Sequence, residues 1–292
     1  MQQINDLINK MRQFESNPIS KNLEDYHGNL DALLYIQTYL AESKVKFPEW
    51  KIYIDTLVTK HILHCNTIYH IFNGLNLKSS FNKFDFKIFD LPSAQILIRA
   101  QLENFLITDF IYFQNLKEDE KLFRFNCWMY DSYLQRSKLL TASKAMNKTQ
   151  ESDKIEVEKL KGLIQNSPFY KNLRETHQKN LIKRGDSKLF NKWEDLMRLS
   201  ELKEIIINNS YKGLSSQAHS GALSILNLKT QKLGFSSDNQ HVYPILLLSD
   251  LILCVMILRY KYFSKTTEIA YNKLLSNRRK TIEINNYLLS TK

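Results

Sequence analysis

The chain has 292 residues, 43% hydrophobic and 24% charged, a balance that excludes a disordered polymer and allows one large core or two smaller ones. Seven glycines and five prolines are too few for the tight turns of a sandwich or barrel, so the composition predicts an all-α multi-helix bundle. Lys and Arg total 41 against 30 Asp and Glu, a formal charge of +11 that favours phosphate-rich partners, although a solvated basic surface is the plainer account.

In chain order, apolar residues at three- and four-residue spacing predict a helix from about 22 to 41. Phe47-Pro48-Glu49 starts a second helix, which runs to Phe72 and stops near Gly74. The short alternation in 81–89 reads as a loop or a single strand. Leu91-Pro92-Ser93 opens a strongly apolar third helix reaching about Phe113, and Glu118 opens a fourth through Trp128 and Leu139. From about 141 to 193 charge density rises, which reads as a more exposed, charged helical insertion with a turn at Gly185-Asp186. A helix over about 193–207, a motif segment over 208–225 and a surface loop over 233–240 follow. The apolar run Tyr243 to Tyr260 is nearly long enough to span a membrane. Asp250 at its centre would cost roughly 3 kcal/mol there, so it predicts a buried core helix that continues into a basic C-terminal helix. The expected division is a helical segment over 1–90 packed on a core domain over 91–292.

Cys65, Cys127 and Cys254 are odd in number and lack metal or redox spacing, and the first fifteen residues hold no signal-like apolar run. Both point to the cytoplasm. P-loop, dinucleotide, zinc-protease and nucleophile-elbow motifs are missing from the sequence, and no cofactor is expected. His61, His64, Cys65 and His70 lack an acidic residue at ligand spacing, so packing accounts for them better than zinc.

The polar residues set in apolar surroundings carry the chemical candidates. Arg99 and Glu103 are four apart on one helix face, either as a buried ion pair or as a guanidinium aimed at an anion. Tyr211, Ser215 and His219 form a second row at spacing four, with Ser216 and Ser220 beside it and small residues around His219, which reads either as a hydrogen-bonded packing residue or as a group with room for a ligand. Asp250 is placed with this polar centre. Lys171, Arg174, Lys183 and Arg184 interleave with aromatics, and Arg278-Arg279-Lys280 forms a second basic patch. Either set could follow a phosphate backbone, or simply be solvated.

The pairing of IRAQLENFL with the later YKGLSSQAHSG resembles uncharacterised bacterial helical proteins of the HEPN-like (higher eukaryotes and prokaryotes nucleotide-binding) assemblage. The pattern falls on Arg99, Glu103, Tyr211, Leu214, Ser215 and His219. The resemblance implies a HEPN-like core over 91–292 and RNA or nucleotide binding. It further implies metal-independent RNA cleavage, with His219 as general acid or base and Lys212 or Arg99 stabilising phosphate charge. A homodimer or a partner protein of the same bacterial defence or toxin-type system would accompany this. The sequence departs from the assemblage's Arg-then-His nuclease motif, because Lys212 stands where Arg is expected. Two other readings stay open: a non-enzymatic helical interaction module and a membrane-associated helical protein.

Overall fold

Helices α1 (Gln2–Ser16), α2 (Ile19–Glu42) and α3 (Glu49–Phe72) open the chain, and prolines mark two of their starts. Pro18 and Pro48 occupy the N-cap positions of α2 and α3, where the fixed φ of proline suits helix entry. The computed structural model describes residues 2–81, 85–139, 144–203, 211–217 and 242–290. Past α3, Gly74 adopts φ 91°, and a hairpin of β1 (Leu75–Lys78) and β2 (Asp85–Ile88) pairs Leu75 with Ile88 and Lys78 with Asp85. Then come α4 (Leu91–Thr108), a π-helical turn (Asp109–Phe113), α5 (Glu118–Arg136), α6 (Lys144–Asn166), α7 (Pro168–Lys171), α8 (Glu175–Arg184) and α9 (Trp193–Leu199). The described chain ends with α10 (Lys212–Gln217), α11 (Val242–Lys261), α12 (Lys265–Lys273) and α13 (Ser276–Leu289).

Two compact units divide these elements: residues 1–108 with 197–292, and residues 109–196. The first is organised around α11, which packs against α1, α2, α3, α4, α12 and α13. Being covered on all sides explains why α11 is apolar all round instead of striped. Leu246, Leu253, Cys254, Val255, Met256 and Ile257 are fully or almost fully buried, each large aliphatic side chain contributing about 1.5–3 kcal/mol. Facing them are Leu33 and Ile36 of α2, Val58 and Ile68 of α3, and Ile98 and Leu106 of α4, all with no exposed surface.

The second unit has its own core, in which α5 packs along α6. Phe123, Cys127, Tyr130, Val157, Leu160, Ile164 and Leu181 are buried together there. Tyr130 donates to the carbonyl of Ile182 at 2.6 Å, and Arg136 grips the buried Asp153 carboxylate with two bonds of 2.6 and 2.5 Å. The π-helical turn leaves the Phe110 carbonyl to accept from Arg124 Nη1 at 2.9 Å, and the same guanidinium lies 4.1 Å from the Phe110 ring centroid. Gly185 caps α8 at φ 74°, where a side chain would meet Asp131.

The architecture is the all-α multi-helix bundle that the composition predicts, and the charged stretch 141–193 falls within the second unit. Several local expectations need correction. The alternating stretch over 81–89 supplies a single strand, within the expectation, but its hairpin partner Leu75–Lys78 is not foreseen, being exposed throughout and carrying no buried stripe to announce itself. The helix expected over 193–207 stops at Leu199. Glu201 takes φ 59°, and Leu202 bridges to Ser290, while residues 204–210 lie outside the described residues. The expected continuous C-terminal helix is interrupted because Ser264 starts α12 with a capping box, its hydroxyl accepting from Thr267 N while Thr267 Oγ1 accepts from Ser264 N.

Candidate functional site

The i,i+4 spacing on α4 does place Arg99 and Glu103 together, Arg99 Nε donating to Glu103 Oε1 at 2.9 Å. Tyr211, immediately before α10, closes the group: its hydroxyl donates to the same Glu103 oxygen at 3.0 Å, and its ring lies 5.4 Å from the guanidinium carbon. Arg99 Nη2 reaches the Tyr211 oxygen at 3.4 Å. Tyr211 itself is buried, while the Arg99 and Glu103 side chains keep about a quarter of their surface, 25% and 26%. The pair is therefore partly solvated instead of sealed.

That geometry fixes the roles available. Burial works to lower the Arg99 pKa, but hydrogen bonding and attraction from Glu103 outweigh it and hold the guanidinium charged. Burial, then the adjacent Glu103 carboxylate, push Tyr211 up to about 12, so it is a fixed donor that orients Glu103 and not a base. Among the described residues Arg99 Nη1 has no hydrogen-bond partner, which leaves one arm of the fork for an outside acceptor.

Lys212 is exposed and Ser215 half-buried on α10, which packs on α4. The helix is described over Lys212–Gln217, so His219, at the end of the expected four-residue row, lies outside the described residues. In the second unit Lys171, Arg174, Lys183 and Arg184 are exposed. His177 stacks on Phe190 with ring centroids 4.2 Å apart, and Lys188 sits 5.0 Å from the Trp193 centroid, so aromatic and basic groups do interleave there. Among the described residues no group of three His, Cys, Asp or Glu is arranged to hold a metal ion.

Two expected members belong elsewhere. Asp250 is fully buried on α11, where Asn29 Nδ2 donates to Oδ1 and Asn285 Nδ2 to Oδ2, each at 2.8 Å, so it ties α2 and α13 to α11 instead of joining the Arg99 group. Burial pushes its pKa up to about 6. Arg278 turns inward, donating from Nη1 to the Asp25 carbonyl at 2.9 Å and to Asn29 Oδ1 at 3.1 Å. Arg279 is half-buried and only Lys280 is exposed, so the three do not form a continuous phosphate track.

One buried polar chain has no forerunner in the sequence reading. Gln101, two residues beyond Arg99, accepts from Ser249 Oγ at 2.8 Å and donates to the Ser249 carbonyl at 3.1 Å. With the Ser249 proton committed to Gln101, Tyr26 is the donor in its 2.9 Å contact to Ser249 Oγ, and the Cys65 carbonyl at 3.2 Å shares that proton. His61 adjoins Gln101 at 3.5 Å; burial, then His64, push its pKa down to about 3. It is neutral at ordinary pH. Polar residues at buried helix positions were the only available signal, and they do not name their partners.

The fold and this partly open Arg-Glu-Tyr group define an all-α bundle with a candidate anion site on α4. The chain belongs to a family of unknown function (DUF5677), which matches residues 87–236. That segment contains Arg99, Glu103, Tyr211, Lys212, Ser215 and His219 together with the exposed basic residues of the second unit, and it ends before Asp250 and Arg278. No curated protein and no solved structure matches the chain.

Proposed function

We propose that the protein binds RNA or a nucleotide through a phosphate contact at Arg99. Glu103 and Tyr211 hold the guanidinium in place, and exposed Lys212 adds a second positive charge on the neighbouring helix. The observation that carries this reading is the arrangement of the Arg99 fork: Nε is spent on Glu103, and Nη1 is unpartnered among the described residues on a side chain with a quarter of its surface in solvent. The HEPN-like resemblance supports it, and adds His219 as general acid or base if the bound RNA is cleaved, with no metal needed. Lys171, Arg174, Lys183 and Arg184 would supply a sequence-independent electrostatic contribution.

The test is fluorescence anisotropy with a short labelled RNA, across a salt series, on the parent and on Arg99→Ala, Lys212→Ala and His219→Ala. Arg99→Ala should weaken binding at least tenfold at unchanged fold, and Lys212→Ala less. His219→Ala should abolish any cleavage while binding persists. RNA affinity that is absent, or indifferent to Arg99, rejects the proposal. One observation favours a second reading, a non-enzymatic helical interaction module: Tyr211 joins α10 to α4 through the same Glu103, as a register lock would. A folded Arg99→Ala protein that retains a protein partner and never bound RNA would select it.

A further inference from the structure

Between α2 and α3 the chain makes a short turn. Lys44 takes φ 54°, costing roughly 1–2 kcal/mol for a residue with a Cβ, and residues 45–48 then run to the N-cap proline of α3. The Phe47 ring lies 5.3 Å from that of Phe263, which follows α11 just before the Ser264 cap of α12. The two turns border an open hollow of about 460 Å³ lined by Leu40, Val45, Phe47, Ile52, Ile54 and Phe263. Ile54 is buried, whereas Val45 and Ile52 are exposed by 46% and 57% although they line an apolar hollow. Lys46 and Lys51 also line it, against one acid, Asp55, whose carboxylate accepts from Gln37 at 2.8 Å. The site shares no residue with the Arg99 group.

We propose that this cavity binds a free small amphiphile with an anionic head, of the class of a medium-chain acyl carboxylate, its chain against the apolar wall and its head at Lys46 and Lys51. The volume falls in the range of small-molecule sites. A chain of about eight carbons, each needing about the ~30 Å³ of one water, fills half of it and leaves room for the head. An apolar wall with a net positive lining selects such a molecule over a neutral hydrocarbon, which gains nothing from the lysines, and over a cation, which they repel.

Saturation-transfer NMR and calorimetry with sodium octanoate, and with 1-octanol as the uncharged counterpart, test this on the full chain. Octanoate should saturate one site per chain with a dissociation constant below about 1 mM, and octanol should bind at least tenfold more weakly. Lys46→Glu with Lys51→Glu should cut octanoate affinity at least tenfold and change octanol less than twofold. Ala41→Trp, an exposed lining position, should block both at unchanged melting temperature. No saturable octanoate binding, equal affinity for octanol, or full binding in Ala41→Trp would overturn the proposal. So would binding only to anionic lipid vesicles or only to an acidic, leucine-rich peptide, because the cavity would then serve a membrane or a protein segment.

Discussion

Gly28 lies in the interior of α2, where glycine costs about 1 kcal/mol relative to alanine, so Gly28→Ala should stabilise an isolated helix by that amount. In this protein the opposite should happen. A methyl group at Gly28 would overlap Arg278 Nη2 and Cζ and sit 2.9 Å from Nη1. The Arg278 head must then leave, giving up its bonds to the Asp25 carbonyl and Asn29 Oδ1. Bonds from a charged donor contribute about 1.5–3 kcal/mol each, and because Arg278 is half-buried the lower figure applies. Asn29 has no exposed surface, so its carbonyl oxygen, deprived of that donor, adds roughly 1 kcal/mol. Against the propensity gain, the net is a destabilisation of at most about 3 kcal/mol, reached when the flexible Arg278 head recovers neither bond. Urea denaturation followed by circular dichroism reads it directly. The sharper test is the same substitution in an Arg278→Ala background, where the obstruction is gone and Gly28→Ala should become stabilising by about 1 kcal/mol. If Gly28→Ala stabilises the parent, or if its sign does not reverse in that background, Arg278 does not lie across α2 and the whole Asn29 linkage is wrong.

Asp250 should make stability depend on pH in an unusual direction. Its folded pKa, raised by burial to about 6, exceeds the unfolded value, so its contribution is fully present only below about pH 4 and is lost as pH rises from there through about 6, by roughly 3 kcal/mol. Subtracting the stability profile of Asp250→Asn from that of the parent should isolate this slope, and a flat difference would mean the carboxylate is not sealed. Glu103→Ala should cost only about 1 kcal/mol, because Arg99 retains solvent access, and a loss above about 3 kcal/mol would show a sealed pair. Although α11 is long and apolar enough to cross a membrane, its Asp250 is buried against Asn29 and Asn285. The protein is therefore expected in the soluble fraction without detergent, and recovery solely from membranes would count against that packing.

What the sequence revealed was mostly what lies within one helical turn. The start of α3 is readable because proline acts locally, and the apolar repeat places α2 to within three residues of its start at Ile19. Arg99 and Glu103 were paired by a spacing of four, which the helix itself guarantees. Tyr211 reaches Glu103 across 108 positions, and only the HEPN-like resemblance put them in one pattern; helical geometry says nothing about it. The basic run at 278–280 was misread for a related reason. A run of charge reports composition and not direction, and the sign that Arg278 points inward was Gly28, 250 residues away in another helix.

Asp250 shows most clearly where spacing stops being informative. It was grouped with the polar centre because it is polar and lies in an apolar helix, and its neighbour Ser249 does reach α4 through Gln101. Successive residues on a helix are turned by about 100°, however, so two adjacent polar side chains on α11 serve different neighbours. Ser249 faces Gln101 and Tyr26, whereas Asp250 faces Asn29 and Asn285. A helix packed against six others holds its two polar contacts by aiming them at partners that can pair with them, since an unpaired polar group there costs several kcal/mol. Asp250 thereby fixes α11 against α2 and α13, and Ser249 fixes it against α4 and, through Tyr26, against α2 as well. The Arg99 group, by contrast, keeps about a quarter of its Arg99 and Glu103 side-chain surface in solvent and, among the described residues, is satisfied through only part of its fork. An enclosed, doubly hydrogen-bonded carboxylate has no face left for a ligand, whereas a partly solvated guanidinium does. By that criterion Asp250 belongs to the scaffold, and Arg99 stays open to the ligand contact proposed for it.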